Sequence, residues 1–353
     1  MTAGIRLLKW HHVHSAALGV TFALLAFVTL DTLTVTRYHK VAKSLLRRSE
    51  FNFDEDAALE GHPRVRDEHL QQLQNIKLLV WVMTQPDNHQ TKAVHVRDTW
   101  GKRVDKLLFM STKEDASIPT IKLNTNESRT FLWAKFKRAF KYVHQHYIND
   151  YDWFIRADDD TYLVVENLRY MLSLYDPEFP IHFGQRYTSS NPEGYMTGGA
   201  GFVISRAALR KFVEEALPDP QKCRASDIGE DDDVEVGRCL TNVGVVAGDS
   251  RDELGRGRFF YQPPADQLSY ALQGNKSWEW PHSFYPPKLG PDWLSSTAIS
   301  FHHLRPDQID EMDYLLYHVR PFGVELEQPF PPVLPPDIRT VPMQVIEKFG
   351  TWT

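Results

Sequence analysis

Hydrophobic positions along the chain fall into three regimes. From Ser15 to Leu30 the residues are apolar apart from hydroxyls; Arg6 and Lys9 precede the run and Asp31 closes it. A membrane-crossing helix needs roughly 20 residues, and thinner early secretory membranes accept somewhat fewer. No small-x-small cleavage site ends the run. A transmembrane signal-anchor is therefore expected over 13–35, behind a cytoplasmic tail of 1–12. Residues 36–75 are polar, mixed in charge and without apolar period, which predicts a stem. From residue 76 short apolar runs alternate with helical stripes. Ile76 to Thr84 predicts a buried strand closed by Gln85-Pro86, and a polar stretch of helical spacing runs to Trp100. Lys106 to Met110 predicts a second strand. Phe131, Leu132, Phe136, Ala139, Phe140 and Val143 form one helical stripe that leads into Trp153-Phe154-Ile155. Strand, helix, strand, helix, strand is the pattern of a doubly wound α/β sheet. The expected domain spans 76–330, followed by a Pro-rich tail, 331–353.

The third of these strands ends in Asp158-Asp159-Asp160. Charges at the end of a buried strand cost several kcal/mol each unless something neutralises them, and ligands bind at the carboxyl ends of strands in open α/β sheets. Alternation along an extended segment would put Asp158 and Asp160 on one face and Asp159 on the other. That D-x-D spacing suits Mn2+ or Mg2+. Two further stretches carry potential chemistry. In Gly194 to Ser205 the glycines allow close approach of another group, and Ser205 is placed to cap a helix carrying Ala208, Leu209, Phe212 and Val213. Gly229 to Arg238 is strongly acidic and lies between Cys223 and Cys239, the chain's 2 cysteines. A disulfide between them would make that run a fixed loop. The formal net charge of -6 leaves no basic surplus to neutralise phosphates, which speaks against a general nucleic-acid binder.

Several ordered motifs together resemble one family. Trp81 to Thr84, Phe154 to Tyr162, Gly194 to Gly201, Gly237-Arg238-Cys239, Ala247 to Asp252 and Tyr317 to Gly323 are similar to the core 1 β1,3-galactosyltransferases, in the fringe-like group of inverting glycosyltransferases. The resemblance covers roughly 78–323. It implies a GT-A fold behind the N-terminal anchor, UDP-galactose as donor, Mn2+, and GalNAc-Ser/Thr of glycoproteins as acceptor. It also implies a homodimer and a type II Golgi membrane protein with its body in the lumen. Basic residues from Arg37 to Arg48 outnumber those before the anchor, the opposite of what a positive-inside count asks; the sequons and cysteines favour the lumenal body.

By the same resemblance Asp158, Asp160 and His302 hold the metal, with His303 the adjacent competitor. Met83, Glu127, Ser128, Arg129 and Lys135 fall where the family holds the nucleotide, and Arg129 and Lys135 are donors suited to phosphate. Inversion needs one base for the acceptor hydroxyl, and the family's acidic pair corresponds to Asp232-Asp233. Asp233 is the candidate base and Asp232 the alternative, because the run departs from the family's Glu-Asp and carries Glu235 at a normally small or apolar position. Trp278, in an aromatic segment running to Pro287, is the expected platform for the acceptor sugar. Of the sequons at Asn126 and Asn275, Asn275 is expected to carry the glycan, since Asn126 abuts the nucleotide segment. A fringe-like transferase for another sugar, or a non-catalytic chaperone-like relative, are the competing expectations.

Overall fold

The computed structural model describes residues 73, 75–188, 191, 193–273, 280–287 and 290–319, with backbone alone at 270–273 and 280. The expected anchor at 13–35, the tail 331–353, Trp278 and Asn275 lie outside the described residues. The chain divides into two units, Met1–Arg66 and Asp67–Thr353, and every described residue belongs to the second. Among the described residues no helix is long and apolar enough to cross a membrane.

Strand β1 (Leu78–Met83) passes through a π-helical turn, His89–Ala93, into helix α1 (Val94–Asp98). Strands β2 (Lys106–Ser111) and β3 (Thr120–Lys122), helix α2 (Leu132–Tyr147) and strand β4 (Trp153–Asp158) follow. Next come β5 (Tyr162–Leu163), α3 (Val165–Leu172), β6 (Ile181–Gly184), the pair β7 (Arg186–Tyr187) and β8 (Tyr195–Met196), then β9 (Phe202–Ser205) and α4 (Arg206–Lys211). Helix α5 (Asp232–Asn242), β10 (Val246–Ala247), β11 (Phe259–Phe260), α6 (Pro264–Gln273), β12 (Ser300–Phe301) and α7 (Pro306–Tyr317) complete the described fold.

The main sheet has seven strands in the order β10-β6-β9-β4-β1-β2-β3. Strands β4, β1, β2 and β3 are mutually parallel, whereas β9 runs antiparallel between β4 and β6. The sheet is thus mixed. β1 is buried along its whole length. Leu78, Val80 and Val82 enter one core with Val96, Trp100 and Leu168, while Leu79, Trp81 and Met83 enter a second core with Phe136, Phe140 and Leu209. Helices cover both faces, so both alternating sets of side chains must be apolar, and the strand reads as a continuous hydrophobic run. The expected stripe on α2 is borne out, with Phe136, Ala139, Phe140 and Val143 all buried. Ser205 also caps as expected, its Oγ accepting from the Ala208 amide at 3.1 Å.

Two local readings change. β4 ends at Asp158, and Asp159 and Asp160 occupy a turn in which the Thr161 amide donates to the Asp158 carbonyl at 3.2 Å. The three carboxylates are therefore spread by a turn rather than by strand alternation. The acidic run expected as a loop instead enters a helix at Asp232. Carboxylates in a first helical turn meet the positive end of the helix dipole and unpaired amides, so Asp232, Asp233 and Glu235 start a helix well. Val236, Cys239 and Leu240 then give it a buried face.

The Cys223–Cys239 disulfide expected from sequence is present and ties α5 to the segment before the acidic run. Replacing both cysteines by alanine is expected to lower stability by about 3 kcal/mol through the freed unfolded chain. Equilibrium urea unfolding measures it, as a lower midpoint at an otherwise cooperative transition.

Candidate active site

A small sheet, β11-β12-β5, brings the distant histidine to the aspartates. β5 begins just after Asp160-Thr161, and β12 pairs antiparallel to it with Phe301 opposite Tyr162. The residue after Phe301 must then lie beside the Asp turn. His302 does so: its Nε2 is 2.9 Å from Asp160 Oδ1 and 3.7 Å from Asp158 Oδ2. The structure thus brings together Asp158, Asp160 and His302. His303, held at φ 57, adds a ring 3.9 Å from that of His302, and ligand atoms of Asp160, His302 and His303 lie within 4.8 Å of one another. Asp159 points elsewhere, accepting from Thr84 Oγ1 at 2.7 Å and Asn88 Nδ2 at 2.8 Å. It braces the turn against β1.

The charges balance in an ordered way. Lys92 Nζ stands 3.1 Å from Asp160 Oδ2 and 3.6 Å from Asp159 Oδ1. Burial opposes ionisation of Asp160, but the hydrogen bond and charge of His302, together with Lys92, outweigh it and hold that carboxyl well below its usual range. Burial pushes Asp159 up, only partly offset by its Thr84 and Asn88 donors. Burial likewise lowers His303, reinforced by the neighbouring His302. A divalent cation fits this donor set. Hard carboxylate oxygens and imidazole nitrogen converge, and the buried His302 Nδ1 has no hydrogen-bond partner among the described residues.

The glycine stretch is shaped around these groups. A Cβ on Gly199 would sit 2.3 Å from His302 Cε1, and one on Gly198 would sit 2.8 Å from Arg156 Nη1. A side chain at Gly199 would overlap the imidazole ring itself. Gly199→Ala is expected to displace the imidazole and weaken Mn2+ binding roughly 10–100-fold, the range seen when the support of a metal ligand is disturbed. A Mn2+ titration followed by electron paramagnetic resonance measures this directly.

The acid pair lies across the same glycines. Asp233 Oδ2 accepts from the Gly198 amide at 2.9 Å, and Oδ1 from the Val234 amide at 2.8 Å. Burial raises both carboxyls, Asp232 to about 7, with the Arg156 charge pulling the other way. Arg156 stands between the two poles. Its Nη2 is 2.6 Å from Asp158 Oδ1, its guanidinium lies 4.9 Å from the Phe136 ring centroid, and its buried Nε and Nη1 lack hydrogen-bond partners among the described residues. Sequence reasoning gave neither Arg156 nor Lys92 a role. The available signal for Arg156 was a cation in the middle of an otherwise apolar buried strand.

The expected nucleotide residues are partly gathered. Met83 ends β1 directly opposite Asp158 on β4. Lys135 is buried and donates to Glu127 Oε1 and to the Thr84 carbonyl, both at 2.5 Å, while Thr112 Oγ1 donates to Glu127 at 2.8 Å. Lys135 is therefore an ion-paired brace rather than a free cation. Ser128 and Arg129 are exposed beside it, at the start of a 3-10 turn, and the Arg129 guanidinium has no hydrogen bond or ion pair among the described residues. Asn126 is exposed at the same edge.

A family model described as Fringe-like matches residues 73–251. Among curated proteins, glycoprotein-N-acetylgalactosamine 3-beta-galactosyltransferase 1 of Xenopus laevis is 42% identical over 251 residues, 71% of this chain and 69% of the relative. A beta-1,3-glucosyltransferase of Mus musculus is 30% identical over 174 residues, 48% of this chain and 34% of the relative. Chondroitin sulfate synthase 3 of Mus musculus is 28% identical over 187 residues, 47% of this chain but only 21% of the relative. The Fringe-like match runs through the Asp turn, the glycine stretch and the acid pair alike, and with it the chain belongs to the Fringe-like family of glycosyltransferases.

Proposed function

We propose that this protein transfers galactose from UDP-galactose to O3 of GalNAc linked to Ser or Thr of glycoproteins, with inversion, on a GT-A scaffold. The observation that carries the reading is the placement of two poles on one glycine stretch. His302, whose Nε2 is 2.9 Å from Asp160, abuts Gly199, while Asp233 is held by the Gly198 amide. The name of the Xenopus relative supplies the sugar classes.

Asp158, Asp160 and His302 are the residues that would hold Mn2+, or Mg2+ in its place. Held there, such an ion would supply Lewis-acid stabilisation of the departing diphosphate. Met83 and Glu127 would bound the nucleotide with Ser128, and Arg129 offers the exposed cation for phosphate, with Lys135 fixing Glu127. Asp233 takes the proton from the GalNAc O3 hydroxyl as that oxygen bonds to the galactose anomeric carbon and the bond to UDP breaks. Asp232 is the alternative base. Arg156 keeps the buried acid pair from taking up protons too readily. Trp278 is proposed as the acceptor platform and Asn275 as the glycosylated sequon. A homodimer anchored in the Golgi membrane by 13–35, its body lumenal, is the proposed setting.

The glucosyltransferase relatives make another donor the competing reading. A panel of UDP-sugars with a GalNAc-threonine peptide, with and without Mn2+, separates them. Mn2+-dependent turnover with UDP-galactose is the expected result, and turnover with a different UDP-sugar alone overturns the donor assignment.

A further inference from the structure

We propose that a second cleft, lined by Gln185, Arg186, Ser250, Arg251, Arg258 and Tyr285, binds a small oxyanion. The cleft measures about 30 Å³. A water needs roughly 10–15 Å³ by that measure, so two oxygen-sized atoms fit, such as the two oxygens of a carboxylate or one edge of a sulfate.

Charge is the reason. Arg186, Arg251 and Arg258 are 9%, 7% and 7% exposed. Arg251 is answered by Asp249, whose carboxylate lies 2.8 Å away, and Arg186 by Glu193 at 2.8 Å. The nearby buried Asp252 is taken by Arg256 at 2.6 Å. Arg258 is left over. It donates to Thr297 Oγ1 at 3.1 Å and to the Arg251 carbonyl at 3.3 Å, and no carboxylate lies within 4 Å of it among the described residues. A buried guanidinium without a counter-charge costs several kcal/mol, and an anion in the cleft removes that cost. Consistently, burial lowers Arg258 below the ordinary arginine range, with the fields of Asp252 and Asp249 offsetting only part of it.

The walls are built for this rather than collapsed. Arg186 and Arg251 are held flat against Phe284 and Tyr285, each guanidinium 3.6 Å from a ring centroid. Ser250 Oγ is fixed by donating to the Gly184 carbonyl at 2.7 Å. The cleft also communicates with the metal pole. Gln185 Oε1 accepts from the Tyr261 amide at 2.6 Å, and the Tyr261 ring lies 5.1 Å from that of His302. The occupant is a free inorganic oxyanion or a peptide carboxylate, which share the same recognition chemistry.

Thermal unfolding of the full chain, with sulfate or acetate exchanged against gluconate at constant ionic strength, tests the site. Each tenfold rise in sulfate above its Kd is expected to raise the melting temperature by about 3–6 °C. The rise should vanish in Arg258→Gln. Arg258→Lys keeps the charge but not the fork, and a Kd weaker by tenfold or more is expected there, which covers a Gln variant that does not fold. An acetate response as large as that of sulfate assigns the site to carboxylates, and a sulfate response alone to inorganic oxyanions. No response to either anion, or equal responses in wild type and the Lys variant, overturns the proposal.

Discussion

Asp160→Asn is expected to lower kcat by roughly 10³-fold and to weaken Mn2+ binding while the protein still unfolds cooperatively. The asparagine keeps the shape but removes the charge that draws a dication to the carboxylate 2.9 Å from His302. Lewis-acid stabilisation of a departing diphosphate is worth several kcal/mol, and each 1.36 kcal/mol is tenfold in rate. Asp160 also faces Lys92 at 3.1 Å. Its lowered carboxyl contributes stability that is present above the unfolded value and lost as pH falls. The variant is therefore expected to lose its acid-dependent share of stability as well. Mn2+-dependent turnover at the wild-type rate would remove Asp160 from the metal site.

Asp233→Asn is the second large effect, a loss of about 10²–10⁴ in kcat with Mn2+ affinity retained. The asparagine oxygen can accept from only one of the Gly198 and Val234 amides, so cooperative unfolding of the variant is checked alongside its turnover to separate loss of the base from a disturbed helix start. The wild-type pH profile follows from the same burial. Both carboxyls are raised, Asp232 to about 7, and the reaction needs the deprotonated form. Activity is expected to rise with pH through neutrality and to fall below it. Stability runs the other way. A folded state that holds these protons more tightly than the unfolded chain gains in acid, and that gain is lost as pH rises from the ordinary aspartate range toward about 7. Asp232→Asn separates the two candidates: if it retains most of the activity and moves the acidic limb downward, Asp233 is the base, and if it abolishes turnover, Asp232 is.

Much of this was legible in the chain because the strongest signals were local. β1 and α2 are buried on continuous surfaces, so run and stripe alone placed them. The Asp turn stood out because charge at the end of a buried strand demands a partner. The partners themselves were not legible, because they come from afar. Lys92 and Arg156 meet the aspartates through sheet packing, and His302 through the β12–β5 pairing. Resemblance found His302; no local pattern in Ser300 to His303 could have. The acidic run reads as a loop because its helix is marked only by Val236, Cys239 and Leu240, a short stripe hidden behind consecutive charges. Lys135 looks like a phosphate donor in the sequence, which cannot show that Glu127 holds it at 2.5 Å.

The linkage of the product is the most direct test of the proposed reaction. With UDP-galactose and a GalNAc-α-threonine peptide, NMR of the purified glycopeptide is expected to show galactose in β linkage to O3 of GalNAc. Galactose in α linkage would contradict single displacement with Asp233 or Asp232 as base, and β linkage through another hydroxyl would contradict O3 of GalNAc as the acceptor.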